Sequence, residues 1–137
     1  TDTAFSSPVQ VPGTTWKAIS VIGAFSGGVA TKTDGTLWSW GGNDQGTLGH
    51  NSRTNYSSPI QVGTDTNWDK PLGALGGYGG FVSVKKTDDT LWVWGSNSYG
   101  EQALNDRVTR SSPTQLPGKW EQTAGGPGNG NLGLKYP

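Results

Sequence analysis

The chain has 137 residues, a length that suits one domain of ordinary size. Ten lysines and arginines balance ten aspartates and glutamates, so the formal net charge is zero and nucleic acid is not the expected main partner. Cysteine is absent, which excludes disulfides and thiol chemistry, and no apolar run approaches the roughly 18 residues of a membrane span.

Three landmarks recur along the chain. A Ser-Ser-Pro motif comes first, a single tryptophan follows it, and a glycine-rich passage then leads into a short run that ends in lysine. A period of 51 to 54 residues is a signature of repeat architecture, and this length suits one blade of a propeller. The prolines of the first motif are Pro8, Pro59 and Pro113, and the single tryptophans are Trp16, Trp68 and Trp120.

A fourth landmark, Leu-Trp-x-Trp, occurs at 37–40 and 91–94. Strand side chains alternate between faces, so the two tryptophans of each copy are predicted to share one face of a strand. The preceding "TDGT" (33–36) and "TDDT" (87–90) are predicted hairpin turns. No window has a sustained helical period with caps, so the predicted fold class is all-β.

These residues resemble the repeat of the regulator of chromosome condensation family, which runs "DGTLWSWGxNxxGQLG" and later "SSPxQV". The stretches "DGTLWSWGGNDQGTLG" (34–49) and "SSPIQV" (57–62) match it nearly throughout. The second copy, "DDTLWVWGSNSYGEQALN" (88–105), has Gln102 and Ala103 in place of Leu48 and Gly49, so we expect its corner to be built differently. The resemblance implies β-propeller-type blades of antiparallel strands.

The chain holds about two and a half such repeats in a single domain, 1–137. We place the repeats at 6–56 and 57–110, with a partial third at 111–137. Because open sheet edges favour aggregation, we expect a partner strand or a neighbouring blade at each end. The predicted inter-chain contact residues are Thr1, Phe5, Leu132, Leu134 and Tyr136.

All seven tryptophans fall on repeat landmarks, which predicts a structural role in filling the space between blades. Stacking of a carbohydrate on an exposed tryptophan is the alternative interpretation. The structural set is Trp16, Trp38, Trp40, Trp68, Trp92, Trp94 and Trp120.

The sequence offers little catalytic chemistry. His50 is the only histidine, and we expect it to be a solvated loop residue, because no nucleophile in a strained elbow lies near it in sequence. Asp65, Asn67 and Asp69 have the spacing of a calcium loop, but the glycine and glutamate that complete such a loop are missing. We therefore predict no enzyme activity, no metal and no cofactor.

Recognition in repeat proteins usually lies in variable loops, here 50–56 and 104–110. We predict a non-catalytic structural or protein-interaction module, whose partner is a copy of itself or flanking propeller sequence, in an extracellular, surface or viral assembly. The alternative is a soluble regulatory module, since members of the resembled family act as enzyme inhibitors or as exchange factors for a small GTPase. The predicted binding residues are His50, Arg53, Tyr56, Asn105, Arg107 and Arg110.

Overall fold

A computed structural model describes residues 6–22, 27–75, 80–125 and 131–135, and all the regular structure in these ranges is β. Adjacent strands pair antiparallel in chain order within each sheet, as predicted. No helix long and apolar enough for a membrane span occurs in the described ranges. The first sheet contains β1 (Trp16–Ile22), β2 (Gly27–Lys32), β3 (Leu37–Gly41) and β4 (Tyr56–Gln61); the second contains β5 (Trp68–Leu75), β6 (Phe81–Lys86), β7 (Leu91–Gly95) and β8 (Arg110–Leu116); β9 (Trp120–Gly125) and β10 (Asn131–Lys135) form a hairpin.

The two predicted hairpin turns join β2 to β3 and β6 to β7. In the first turn the Asp34 carboxylate accepts hydrogen bonds from the Thr36 backbone N–H at 3.0 Å and the Thr36 hydroxyl at 2.6 Å. Asp88 and Thr90 repeat both bonds in the second turn. These bonds lower the pKa of both carboxyl groups, with the threonine hydroxyl as the largest cause. The turns are therefore held in the same way, although glycine occupies the left-handed position only in the first.

The Ser-Ser-Pro motif forms the outermost strand of each four-stranded sheet. Pro59 lies in β4 and Pro113 lies in β8, and each of these strands pairs with one neighbour only. Each sheet therefore begins in sequence at a single tryptophan and ends at the next Ser-Ser-Pro strand. Its boundaries differ from those of the sequence repeat, which begins at the Ser-Ser-Pro motif. Proline has no N–H to donate, so it suits an edge strand.

The main hydrophobic core lies between the first and second sheets. Ile19, Ala30 and Trp38 lie side by side on adjacent strands and share one face of the first sheet. The residues immediately before and after each of them in its strand point to the other face. That other face packs on the second sheet, and the Thr31 hydroxyl donates to the Asp69 carbonyl across the junction at 3.0 Å. We call each four-stranded sheet with its connecting loops a unit. The core consists of Ile22, Val29, Leu37, Leu48 and Val62 from the first unit and Trp68, Val82, Val84 and Trp94 from the second.

Candidate interaction surfaces

Each four-stranded sheet holds a lysine ammonium between two indole rings. In the second sheet Lys86 Nζ lies 4.5 Å from the ring centroid of Trp68 and 4.2 Å from that of Trp92. The Lys86 ammonium also pairs with Asp65 at 2.6 Å, and only 7% of its side chain is exposed. Lys32 takes the same place in the first sheet, 4.7 Å from Trp16 and 4.1 Å from Trp38. The same arrangement occurs in both sheets, and it gives these tryptophans a structural role beyond burial, because the faces of the indole rings attract the cation.

A buried asparagine organises the loop that follows each Trp-x-Trp strand. In the first corner, residues 43–49, the Asn43 side chain accepts from the Leu48 backbone N–H at 2.9 Å and donates to the carbonyls of Ser52 and Thr54. Because a single side chain satisfies three backbone groups, the corner is fixed without regular secondary structure.

The second corner, residues 97–103, repeats this backbone despite its different sequence. The Asn97 carbonyl oxygen accepts from the Gln102 N–H at 2.9 Å, as Asn43 does from Leu48. Ala103 adopts φ 54°, the left-handed conformation that Gly49 has at φ 76°. The expectation of a differently built corner is therefore wrong at the level of the backbone. Gln102 turns inward and donates to the carbonyls of Gly95 and Ser96.

The first corner covers the second sheet. The indole N–H of Trp94 donates to the Thr47 carbonyl at 2.8 Å, and Trp94 is fully buried. Gly49 lies directly on this ring, because a Cβ added there would be 3.0 Å from Trp94 Nε1. Trp94 therefore lies in the core between the two sheets, at the kind of position where the tryptophans are predicted to pack.

Within the described residues no corner loop covers the equivalent face of the first sheet, although Val11 borders it and Gly13 lies against the Trp16 ring. This open face consists of Trp16, Ile19, Val21, Ala30 and Trp40. Ile19 and Val21 are 63% and 68% exposed, and both tryptophans are half-buried. No described residue accepts a hydrogen bond from Trp40 Nε1, whereas its counterpart Trp94 has one. An apolar cavity of about 170 Å³ lies against the open face.

His50 is half-buried and bonded, in contrast to the expected solvated loop histidine. Its Nε2 lies 3.0 Å from the Ser39 hydroxyl, and its ring contacts Tyr56 edge-on at 5.3 Å. The Ser39 hydroxyl donates to the Leu48 carbonyl at 2.7 Å, so Nε2 must carry the proton of the His50–Ser39 bond. Burial lowers the pKa of His50. This serine is a donor to the backbone rather than an activated nucleophile, and no described carboxylate orients the imidazole.

The predicted loop residues differ in how free they are to bind. Arg53, Asn105 and Arg107 are exposed, and Asn105 has φ 58°. Arg110 is half-buried and forms two bonds to the Asp106 carboxylate, at 3.1 Å and 2.7 Å. This pairing lowers the pKa of Asp106 to about 2, with the bond to Arg110 as the largest cause. Arg110 thus holds its own loop together, and the role of the others in binding stays a prediction.

The remaining predicted positions lie at the ends of the chain or in the calcium-like segment. Thr1, Phe5 and Tyr136 lie outside the described residues, and Leu132 and Leu134 lie in β10. Asp65 and Asp69 each pair with a different lysine, Lys86 and Lys17 respectively. Within the described ranges no group of three or more acidic or histidine side chains could hold a metal ion.

The sequence pattern did not predict structural roles for two further pairs of residues, the lysines beside the indoles and the asparagines of the corners. Both recur at fixed spacing: Lys32 and Lys86 end the run before each hairpin turn, and Asn43 and Asn97 stand three residues after each Trp-x-Trp pair. The spacing was a usable signal, but it did not show that the cation lies between two rings.

Comparisons with known proteins agree with this geometry. The model of the regulator of chromosome condensation (RCC1) repeat matches residues 34–71. The human E3 ubiquitin-protein ligase HERC2 is 27% identical over 112 residues, which cover 80% of this chain and 2% of that protein. The chain therefore spans a small fraction of the length of this relative.

Two solved structures share the fold. Human WBSCR16 has a TM-score of 0.59 and 23% identity over 73% of this chain and 26% of that one. Prp20p from Saccharomyces cerevisiae has a TM-score of 0.56 and 18% identity over 84% of this chain and 29% of that one. Residues 34–71 are thus similar to one regulator of chromosome condensation repeat, and the four-stranded antiparallel sheets share the β-propeller-type fold of these neighbours.

Proposed function

We propose that this chain is a non-catalytic structural or protein-interaction module that docks on another protein through the open face. The observation that carries the proposal is the difference between two equivalent surfaces. The second sheet has its tryptophans covered by a corner of the first unit, whereas the open face has the same tryptophans, the same lysine and no such cover among the described residues.

The chemistry of the open face favours a protein partner. Its centre is aromatic and aliphatic, Ile19 and Val21 are more than half exposed, and Trp40 offers an indole N–H to an acceptor. Contiguous exposed apolar surface on a soluble domain commonly marks a protein contact. The covered counterpart indicates what fits: a loop that places a backbone carbonyl at the indole N–H and a small residue on the ring, as Thr47 and Gly49 do.

The partner we favour is another copy of the chain or flanking propeller-type sequence, so the module is one piece of a larger assembly of blades. We further propose an extracellular, surface or viral setting for this assembly. The support is the composition of the chain, which is neutral and rich in glycine, asparagine and threonine.

Multi-angle light scattering of the purified chain at several concentrations tests the proposal. We expect the average mass to rise with concentration. The double variant Ile19→Asp, Val21→Asp should abolish the rise, because two carboxylates on the open face oppose its burial. Val108→Asp is the matched control, since Val108 is 57% exposed in the second unit and lies away from the open face.

A wild-type chain that stays monomeric at every concentration would rule out self-association. It would favour the alternative, a soluble regulatory module of the inhibitor or exchange-factor kind. If the mass rises but the double variant behaves like wild type, association uses some other surface and the proposed role of the open face is wrong.

A further inference from the structure

We propose that the groove between the first and second sheets binds a neutral saccharide. This inter-sheet groove has a volume of about 460 Å³ and is distinct from the open face, so the inference goes beyond the docking role. It is bordered by the loop after the first corner, the link between β4 and β5, and the edge strand β8. Its principal lining residues are His50, Asn51, Thr64, Asp65, Trp92 and Ser112.

The size and the mixed lining suit a small ligand. Pockets for small molecules are typically about 300–1,000 Å³ and combine apolar walls with a few polar groups. Here the apolar part is the half-buried indole of Trp92, with Val62 and Pro113 beside it. A pyranose ring has an apolar C–H face and a polar rim of hydroxyl groups, so one side of it matches an indole and the other matches a polar border.

The groove is close to electrically neutral. The Asp65 carboxylate is paired with the Lys86 ammonium at 2.6 Å, so these two charges cancel locally. Burial lowers the pKa of His50, which keeps the imidazole neutral near pH 7. A phosphate or carboxylate ligand needs an uncompensated cation or a set of convergent N–H donors, and the principal lining residues supply neither. This argues for an uncharged ligand over a nucleotide.

The polar border has unused hydrogen-bonding capacity of both kinds. Because His50 Nε2 donates to Ser39, its Nδ1 is an acceptor, and no described residue donates to it. The exposed side chains of Asn51, Thr64 and Ser112 likewise have no hydrogen-bond partner within the described ranges. Each sugar hydroxyl both donates and accepts, so a border that mixes amide, hydroxyl and imidazole groups is complementary to it.

Asn51 gives the sharpest test, because the chain contains its own control. Asn51 has φ 53°, a conformation that glycine adopts freely, so Asn51→Gly removes the amide with little backbone cost. Asn105 is the equivalent residue after the second corner, with φ 58°, and it does not line the groove. A second matched pair is Ser112→Ala in the groove and Ser58→Ala outside it, both exposed serines of the Ser-Ser-Pro strands.

The experiment is an NMR titration of the ¹⁵N-labelled chain, with the indole and backbone N–H signals as the readout. The probes are the methyl glycosides of glucose, galactose and mannose, and N-acetylglucosamine, with ATP as the anionic comparison. We expect at least one sugar to saturate shifts at Trp92 and Asn51 with a Kd on the order of millimolar. Asn51→Gly and Ser112→Ala should each raise this Kd about 3- to 10-fold, as the loss of one neutral hydrogen bond implies, and the two controls should leave it unchanged.

Three results would overturn the inference. The first is that no sugar shifts these signals at tens of millimolar. The second is that Asn51→Gly and Asn105→Gly change the Kd equally, because the weaker binding would then come from a change in the loops after both corners and not from the loss of a contact in the groove. The third is that ATP binds the same residues more tightly than any sugar, which would assign the groove to an anion.

Discussion

Replacement of Gly49 by alanine should destabilise the protein through the contact between the first corner and the second sheet. Gly49 has φ 76°, and an added Cβ would lie 3.0 Å from Trp94 Nε1, 3.2 Å from Trp94 Cε2 and 3.3 Å from Val62 Cγ1. All three distances are shorter than the roughly 3.5–4.0 Å of a comfortable contact. The substitution therefore combines backbone strain with overpacking at the junction of the two sheets.

The two contributions can be estimated separately. A left-handed conformation costs a residue with a Cβ about 1–2 kcal/mol, of which about 0.4–1 kcal/mol is recovered because alanine restricts the unfolded chain. Overpacking of a well-packed core costs about 1–3 kcal/mol. Gly49→Ala should therefore lower the free energy of unfolding by about 1–5 kcal/mol.

The second corner provides the control, because it already has Ala103 at the equivalent position with φ 54°. Ala103→Gly relieves the backbone strain without touching Trp94, so it should change stability by no more than about 1 kcal/mol. Urea denaturation followed by tryptophan fluorescence measures both variants, and an unchanged m-value would show that the unfolding transition is comparable. The reasoning fails if Gly49→Ala costs no more than Ala103→Gly gains, since the junction would then tolerate an extra methyl group.

Three further predictions concern charged and titrating groups. The pKa of Asp106 lies at about 2, below the roughly 3.9 of an unfolded chain. The ionised carboxylate therefore contributes its full stabilisation above about pH 4, and this contribution is lost as the pH falls through about 2. Asp106→Asn should make the free energy of unfolding, measured by urea denaturation at each pH, depend less on pH across that window. Lys86→Met should cost about 1–3 kcal/mol in urea denaturation, because it removes the cation between two indoles and leaves Asp65 unpaired, whereas Lys17→Met, in an exposed pair, should cost under about 0.5 kcal/mol. Because burial lowers the pKa of His50, an NMR titration should find it below 6.5, and stability should fall as the pH drops from 6.5 towards that pKa.

Local sequence chemistry predicted the hairpins and the strands around them. Asp34 and Asp88 cap their turns through bonds to a threonine two residues away, and such short-range bonds depend on neighbouring residues alone. The alternation of Trp38 and Trp40 likewise follows from strand geometry. These features needed no knowledge of the rest of the chain.

Features that depend on distant residues were not predictable in the same way. The bond from Trp94 to Thr47 spans 47 positions, and only the packing of one sheet on the other brings the two groups together. The prediction for Gln102 is wrong for a related reason: the corner backbone is set by Asn97, so the side chain at the Leu48 position can change without changing the loop. The bond between His50 and Ser39 is of the same kind, since the two residues lie on different elements.

The Ser-Ser-Pro strands help to decide which surface can associate. An exposed edge strand offers a row of unpaired backbone groups to any other chain, and proline on that edge interrupts the row. Pro59 and Pro113 do this in β4 and β8, the outer edges of the two four-stranded sheets. Edge-to-edge pairing is therefore opposed at both outer edges. On the open face Ile19 and Val21 are exposed, and their register partners in β2, Ala30 and Gly28, carry no charge. Association of this module should accordingly occur face to face. Pro59→Thr restores a backbone N–H donor on the edge strand, so it should add edge-to-edge aggregation. Combining it with Ile19→Asp, Val21→Asp should not suppress that aggregation, because the two aspartates lie on the open face and not on the edge.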